Sequence, residues 1–189
     1  MNLSLNEVEA MAKKAARGGG FDWGVAEEAG KAVRWLCQNG IDGCAALAEL
    51  LSSDDAELCA LRTGLHVTDF AETLRESDMD IGPVNAPELL LPFVASAALQ
   101  LETPLTLLTS DQTYVTDGRS LDCARGGHTD KPDTVKMGGV LKQPTQPMSR
   151  ANPDAGSWAV LGRFAHKTYA PATEESRLRG AGAGVSDND

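Results

Sequence analysis

A run of three glycines, Gly18-Gly19-Gly20, interrupts helical apolar spacing early in the chain and forces the N-terminus to form two separate helices. Glycine loses more backbone freedom on ordering than any other residue, so a helix does not continue through three of them. Ahead of the break, Ser4 and Glu7 stand at capping-box spacing, and Leu3 can staple to Val8 across the cap. Val8, Met11, Ala12 and Ala15 then recur on one face. Beyond the break, Asp22 is placed to cap a helix starting near Gly24, with Val25, Ala29, Ala32, Val33 and Leu36 as its apolar stripe. Glu27 and Lys31 lie four apart in the favourable order for an ion pair. Asn39-Gly40 supplies the stop.

Residues 43–76 favour short helices, around Ala45–Leu51, Leu58–Leu61 and Phe70–Leu74, with Gly64 expected to part the last two. Ser77–Pro83 reads as loop. Asn85 and Glu88 match a second capping box, opening a helix through Leu89, Phe93, Ala97 and Leu101 that either kinks or begins at Pro92. The character then changes. Leu105–Thr109 and Thr113–Thr116 are rich in residues that suit a pleated surface. Asp117-Gly118 signals a type I′ turn, so a hairpin is expected at 112–123. Val135, Met137, Val140 and Leu141 predict a further strand with a bulge at Gly138-Gly139. Three prolines make 143–156 a long connection, and Trp158, Leu161, Ala165 and Tyr169 return to helical spacing. Helices first, strands next and a helix near the C-terminus give an α+β fold, a helical N-terminal half packed with a small antiparallel sheet. A length of 189 residues fits a single domain, 1–189.

Charge narrows the partners. From Asp42 to Glu88 eleven acidic residues face only Arg62 and Arg75. A phosphate backbone or an anionic membrane surface would be repelled, so neither nucleic acid nor membrane is an expected partner. No apolar stretch reaches the roughly 18 residues of a membrane span, and the chain does not open with a secretory signal. Cys37, Cys44, Cys59 and Cys123 form no C-x-x-C pair, which removes the zinc-ribbon and thioredoxin readings. Free thiols and a cytoplasmic location follow.

Two segments carry a resemblance. The stretch from Leu3 through Ala16-Arg-Gly-Gly-Gly-Phe-Asp-Trp-Gly-Val-Ala-Glu-Glu-Ala-Gly, and Ala172 through Asp189, resemble a group of bacterial proteins known only as a domain of unknown function. The likeness runs over most of the chain. It implies a bacterial, cytosolic, stand-alone protein, and brings no activity, cofactor or catalytic residue with it.

Candidate sites come from the residues themselves. A glycine turn entering a helix can present backbone N–H groups to an anion. Beside it Trp23 could cover the apolar part of a ligand, and Glu27 or Glu28 could act in acid–base chemistry. The alternative is a plain helix connection whose acids complement the helix dipole. In the glycine-rich tail, Arg177 and Arg179 could clamp a carboxylate or phosphate, against the ordinary expectation that such a terminus is disordered. Trp35, off the apolar stripe, marks a partner surface. His128 and Asp130, with Asp122, Cys123 or Asp133 near, fall short of the three or four ligands at fixed spacing that zinc sites use, so no metal and no cofactor is expected. The G-x-S-x-G, H-E-x-x-H and G-x-x-x-x-G-K-[ST] motifs are absent.

The chain is thus expected to be a homo-oligomer, a homodimer being the commonest form, that binds a small polar or anionic metabolite in a non-enzymatic or auxiliary role. The alternative is a hydrolase or transferase using carboxylate acid/base chemistry at Glu27 or Glu28 on a small anionic substrate held by Arg177 or Arg179. An interaction module using the acidic middle ranks third. The first two require the chain's ends to meet, so that the Trp23 region and the two late arginines line one hollow.

Overall fold

The computed structural model describes residues 1–53, 55, 58–110, 112–125 and 133–169. Among these, six α-helices and short antiparallel strands form the α+β arrangement, with helices first, the sheet next and a helix last. The helices are α1 (Leu5–Gly18), α2 (Trp23–Gln38), α3 (Gly43–Ser52), α4 (Ala60–Asp69), α5 (Leu91–Leu101) and α6 (Ala155–His166).

The local start signals act as the chemistry requires. Ser4 and Glu7 close a reciprocal capping box on α1. The Asp22 carboxylate accepts the Val25 amide at the head of α2, Asp42 does so for Ala45 on α3, and Asp154 for Ser157 on α6. Each cap satisfies an N–H that the first helical turn leaves without a partner. The second capping box does not form. A 3-10 turn over Pro87–Leu90 precedes α5, and its cap, Ala86, takes a left-handed conformation with no side-chain bond. Asn85 instead donates its amide to Ser53 Oγ at 2.7 Å. Pro92 therefore stands in the first turn of α5, where its missing N–H costs nothing.

Five strands form one sheet in the order β2 (Met79–Asp80), β6 (Thr134–Met137), β3 (Leu105–Leu108), β4 (Gln112–Thr116) and β5 (Leu121–Arg125). The hairpin at 112–123 is present, with Thr116 paired to Leu121. Its turn is not type I′, which needs positive φ at both central residues. Only Gly118 has one there, and the Asp117 carboxylate accepts the amides of Arg119 and Ser120, widening the loop to Asp117–Ser120. Gly138 and Gly139 end β6 rather than bulge it, and Val140 and Leu141 lie beyond the strand. The stretch read as loop, Ser77–Pro83, holds β2. A separate pair joins β1 (Leu3–Ser4) to β7 (Arg150–Ala151) within the long connection.

The core places the helices that matter for function. Leu36, Leu47, Leu61, Leu90, Leu105 and Leu161 are wholly buried in one apolar cluster reaching from Val8 to Ala165. Helix α1 packs on α2 and α6, α2 on α3 and α5, and α5 on β3 and β4. Two glycines are set by close approach. A Cβ on Gly18 would lie 1.8 Å from the Phe164 carbonyl oxygen of α6. One on Gly64 would lie 2.2 Å from the Phe93 ring. Gly64 thus sits inside α4 and does not break it, because the missing side chain lets α5 come close. Among the described residues no helix is long and apolar enough to cross a membrane.

Candidate functional site

The glycine turn does not offer its amides to a ligand. The N–H groups of Gly19, Gly20 and Phe21 all donate to carbonyls at the end of α1, and Arg17 reaches the Phe21 carbonyl from below. At the head of α2, Asp22 itself occupies the position an anion would take. The turn borders a small hollow of about 190 Å³ with Ser53, Cys59 and Arg62. That volume is below the few hundred Å³ typical of a metabolite site.

Helix α2 separates the three residues that sequence spacing grouped together. Trp23 is 64% exposed and lies under two cations, the Arg17 guanidinium 4.5 Å and the Lys13 ammonium 5.8 Å from its ring centre. Glu27 pairs with Lys13 at 2.5 Å, not with Lys31. The Lys13 ammonium, through its hydrogen bond and its charge, holds the Glu27 carboxyl below its ordinary range. Such a group stays ionised and is poorly suited to donate a proton near neutral pH. Glu28 turns the other way and pairs with Lys31 at 2.7 Å.

Glu28 and Lys31 thereby form one rim of a groove of about 430 Å³ between α2, α4 and α5. Ala32, Leu65 and Phe93 make its apolar floor, Trp35 walls one side, and Asp69 with Ser96 completes the polar edge. The floor follows from Gly64, since any larger residue would push the Phe93 ring out of place. Thr68 ties the two helices across the groove, its hydroxyl lying 3.2 Å from the Gly64 carbonyl and 3.4 Å from that of Phe93. Trp35 is half-buried in this wall, and the tryptophan that stands exposed is Trp23.

Residues 3–82 match a family described as a protein of unknown function (DUF3726). The matched stretch runs from β1 through β2 and takes in the first of the two segments that carry the resemblance, whereas Ala172–Asp189 falls outside it. Two of the groove's three sides, α2 with Glu28, Lys31 and Trp35 and α4 with Thr68 and Asp69, lie within the DUF3726 match, and the α5 side lies beyond it. No curated protein and no solved structure matches the chain.

Of the expected meeting of the chain's ends, the described residues show only the packing of α6 near the start of the chain. Helix α6 packs against α1, and the Tyr169 ring lies 5.9 Å from the Lys14 ammonium. Arg177 and Arg179, expected to share a hollow with Trp23, lie outside the described residues, as do His128 and Asp130. Asp122, weighed as a metal ligand, is buried and spends one carboxylate oxygen on the Lys142 and Gln143 amides, at 2.5 and 2.8 Å. Among the described residues no group of three or more His, Cys, Asp or Glu is placed to hold a metal ion. Sequence spacing missed Asp69, Thr68 and Ser96. They sit on ordinary helical positions, and only the packing of α4 and α5 against α2 brings them to Glu28.

Proposed function

We propose that this chain is a cytosolic binding protein for a small polar metabolite, held in the groove between α2, α4 and α5, with no chemistry of its own. The observation that carries the reading is the groove's construction. It combines an apolar floor with a few charged groups converging at the edge, at a volume within the roughly 300–1,000 Å³ range of metabolite sites. The charges suit a ligand bearing both signs. Lys31 would face a carboxylate, and Glu28 with Asp69 an ammonium group, while Trp35 and Phe93 take the carbon skeleton.

The enzymatic alternative draws less support. Acid–base catalysis needs two titrating groups pushed apart in pKa. Glu28 is ion-paired with Lys31, and Glu27 stands outside the groove with its carboxyl held ionised. The free thiols of Cys37, Cys44 and Cys59 support a reducing, cytosolic setting.

A thermal-shift screen of small zwitterionic and anionic metabolites tests the proposal. A ligand at 100 times its Kd stabilises by about 2.7 kcal/mol, which raises Tm by about 5–10 °C in a chain of this size. Lys31→Met, Asp69→Asn and Ser96→Leu should each shrink that shift while leaving the unliganded Tm near wild type. A ligand whose shift survives all three variants binds elsewhere, and the groove is then not the site.

A further inference from the structure

A third hollow, at the end of α2, is lined by one of two neighbouring buried thiols. Cys37 ends α2 and Cys44 begins α3, and both are buried, at 5% and 0% exposure. The link between them is a tight turn. Asn39 and Gly40 close α2, Gly40 taking a φ of +78°, and Asp42 starts α3. Gly43 lets the start of α3 press onto α2, for a Cβ there would lie 2.8 Å from the Val33 carbonyl oxygen. The same Cβ would lie 3.0 Å from that of Leu36, so the chain beside Cys44 closes onto the chain beside Cys37.

Only one of the two sulfurs has a way out. Cys37 lines a hollow of about 270 Å³ whose walls are Ile41, Asp42, Met148, Arg150 and Asn152. These walls are tied down. The Met148 amide donates to the Gln38 carbonyl at 2.7 Å, Arg150 is bound to Asn2, and Asp42 caps Ala45 and accepts the Asp154 amide. Cys44 lies behind Cys37 with no exposure of its own.

From this geometry we propose that Cys37 and Cys44 form a peroxide-reactive dithiol, in which Cys37 is the attacking sulfur and Cys44 the resolving one. The Cys37 thiolate attacks one oxygen of hydrogen peroxide, the O–O bond breaks, and the departing hydroxide takes up a proton to become water. The resulting Cys37 sulfenic acid is then attacked by the Cys44 sulfur. An S–S bond forms, the S–O bond breaks, and the hydroxyl leaves as a second water with the Cys44 proton. Two thiols thus lose two electrons and two protons, and one peroxide becomes two waters.

The order of attack has a physical basis. The Cys44 thiol hydrogen bond lowers the Cys37 thiol's pKa against the opposing effect of burial, and the Gly43 and Cys44 amides add to it. The Asp42 carboxylate at the rim works the other way. Cys44 is pushed up, first by its bond to Cys37 and then by burial. The sulfur favoured as thiolate is thus the one that lines the hollow. A dithiol of this kind is also the natural unit for transient oxidation in a reducing compartment.

Two internal controls make the test sharp. Cys59 is as buried as Cys37, at 5%, and also borders a hollow, while Cys123 is exposed. Reduced full-length protein is treated with equimolar hydrogen peroxide at pH 7, then denatured and alkylated, and its peptides are weighed. The expected product is 2 Da lighter by loss of two hydrogens, with Cys37 joined to Cys44, and forms at least tenfold faster than any oxidation of Cys59. Cys44→Ala should stop at a sulfenic acid on Cys37 that dimedone traps, and Cys37→Ala should leave Cys44 a free thiol. Cys59→Ser should change neither. The proposal is overturned if Cys123 or Cys59 oxidises first in the wild type, or if the 37–44 bond forms as fast in urea-unfolded chain. Because the wild-type peptide map decides alone, a variant that fails to fold does not rescue the idea.

Discussion

Replacing Gly18 by alanine should destabilise the protein, and the same replacement at Gly162 should stabilise it. In a helix, alanine is favoured over glycine by about 1 kcal/mol. Gly162, in α6, has open space where its Cβ would go, so the full gain is expected there. At Gly18 the new Cβ would lie 1.8 Å from the Phe164 carbonyl oxygen, far inside the roughly 3.5 Å of normal contact. The obstacle is backbone, so relief requires α6 to move away from α1 rather than a side chain to turn. Overpacking of this kind costs about 1–3 kcal/mol, and the rigidity of the obstacle argues for the upper end. Subtracting the propensity gain leaves a net loss of about 2 kcal/mol. At 2–4 °C per kcal/mol, Gly18→Ala should lower Tm by about 4–8 °C and Gly162→Ala raise it by about 2–4 °C. Calorimetry or circular dichroism at pH 7 gives both numbers. If Gly18→Ala leaves Tm unchanged or raises it, α6 does not pack on α1 as described.

Backbone strain at Glu102 makes a second prediction. This exposed residue ends α5 with a φ of +51°, where glycine is normally found. Glu102→Gly should stabilise by about 1 kcal/mol and raise Tm by about 2–4 °C, and a fall in Tm would show that the Glu102 side chain contributes more than its backbone costs. Acid sensitivity makes a third. Hydrogen bonds at two helix caps and in the β4–β5 turn hold the Glu7, Asp154 and Asp117 carboxyls below their ordinary values, chiefly the Ser4, Ser157 and Ser120 amides respectively. Groups depressed by folding stabilise it fully above their unfolded pKa, about 4, and lose that contribution as pH falls through the lower folded value. Tm should therefore show no loss from these groups between pH 5 and 8 and a decline below about pH 4. Asp154→Asn, which keeps the cap without its titration, should make that decline shallower, and an unchanged acid limb would refute the assignment.

The parts of this protein that were legible in its sequence are those whose partners lie within a turn or two. The Ser4–Glu7 box, the Asp22 cap, the glycine stop after α1 and the pleat-favouring composition of β3 and β4 each involve residues only a few positions apart. Their geometry follows from backbone period and hydrogen-bond reach, and the α+β class follows from their order. The misreadings share the opposite cause. Glu27 has a partner available four residues ahead, yet it takes Lys13 because α1 lies alongside, leaving Lys31 to Glu28. Asn85 has the right spacing to cap, yet Ser53 claims its amide. Gly64 looks like a breaker, but α5 has occupied the space its side chain would need. Neither the groove around Glu28 nor the Cys37–Cys44 pair has any spacing signature. Each is made where helices distant in the chain or folded back by a turn are pressed together, and close packing of a core, not local propensity, chooses which faces those are.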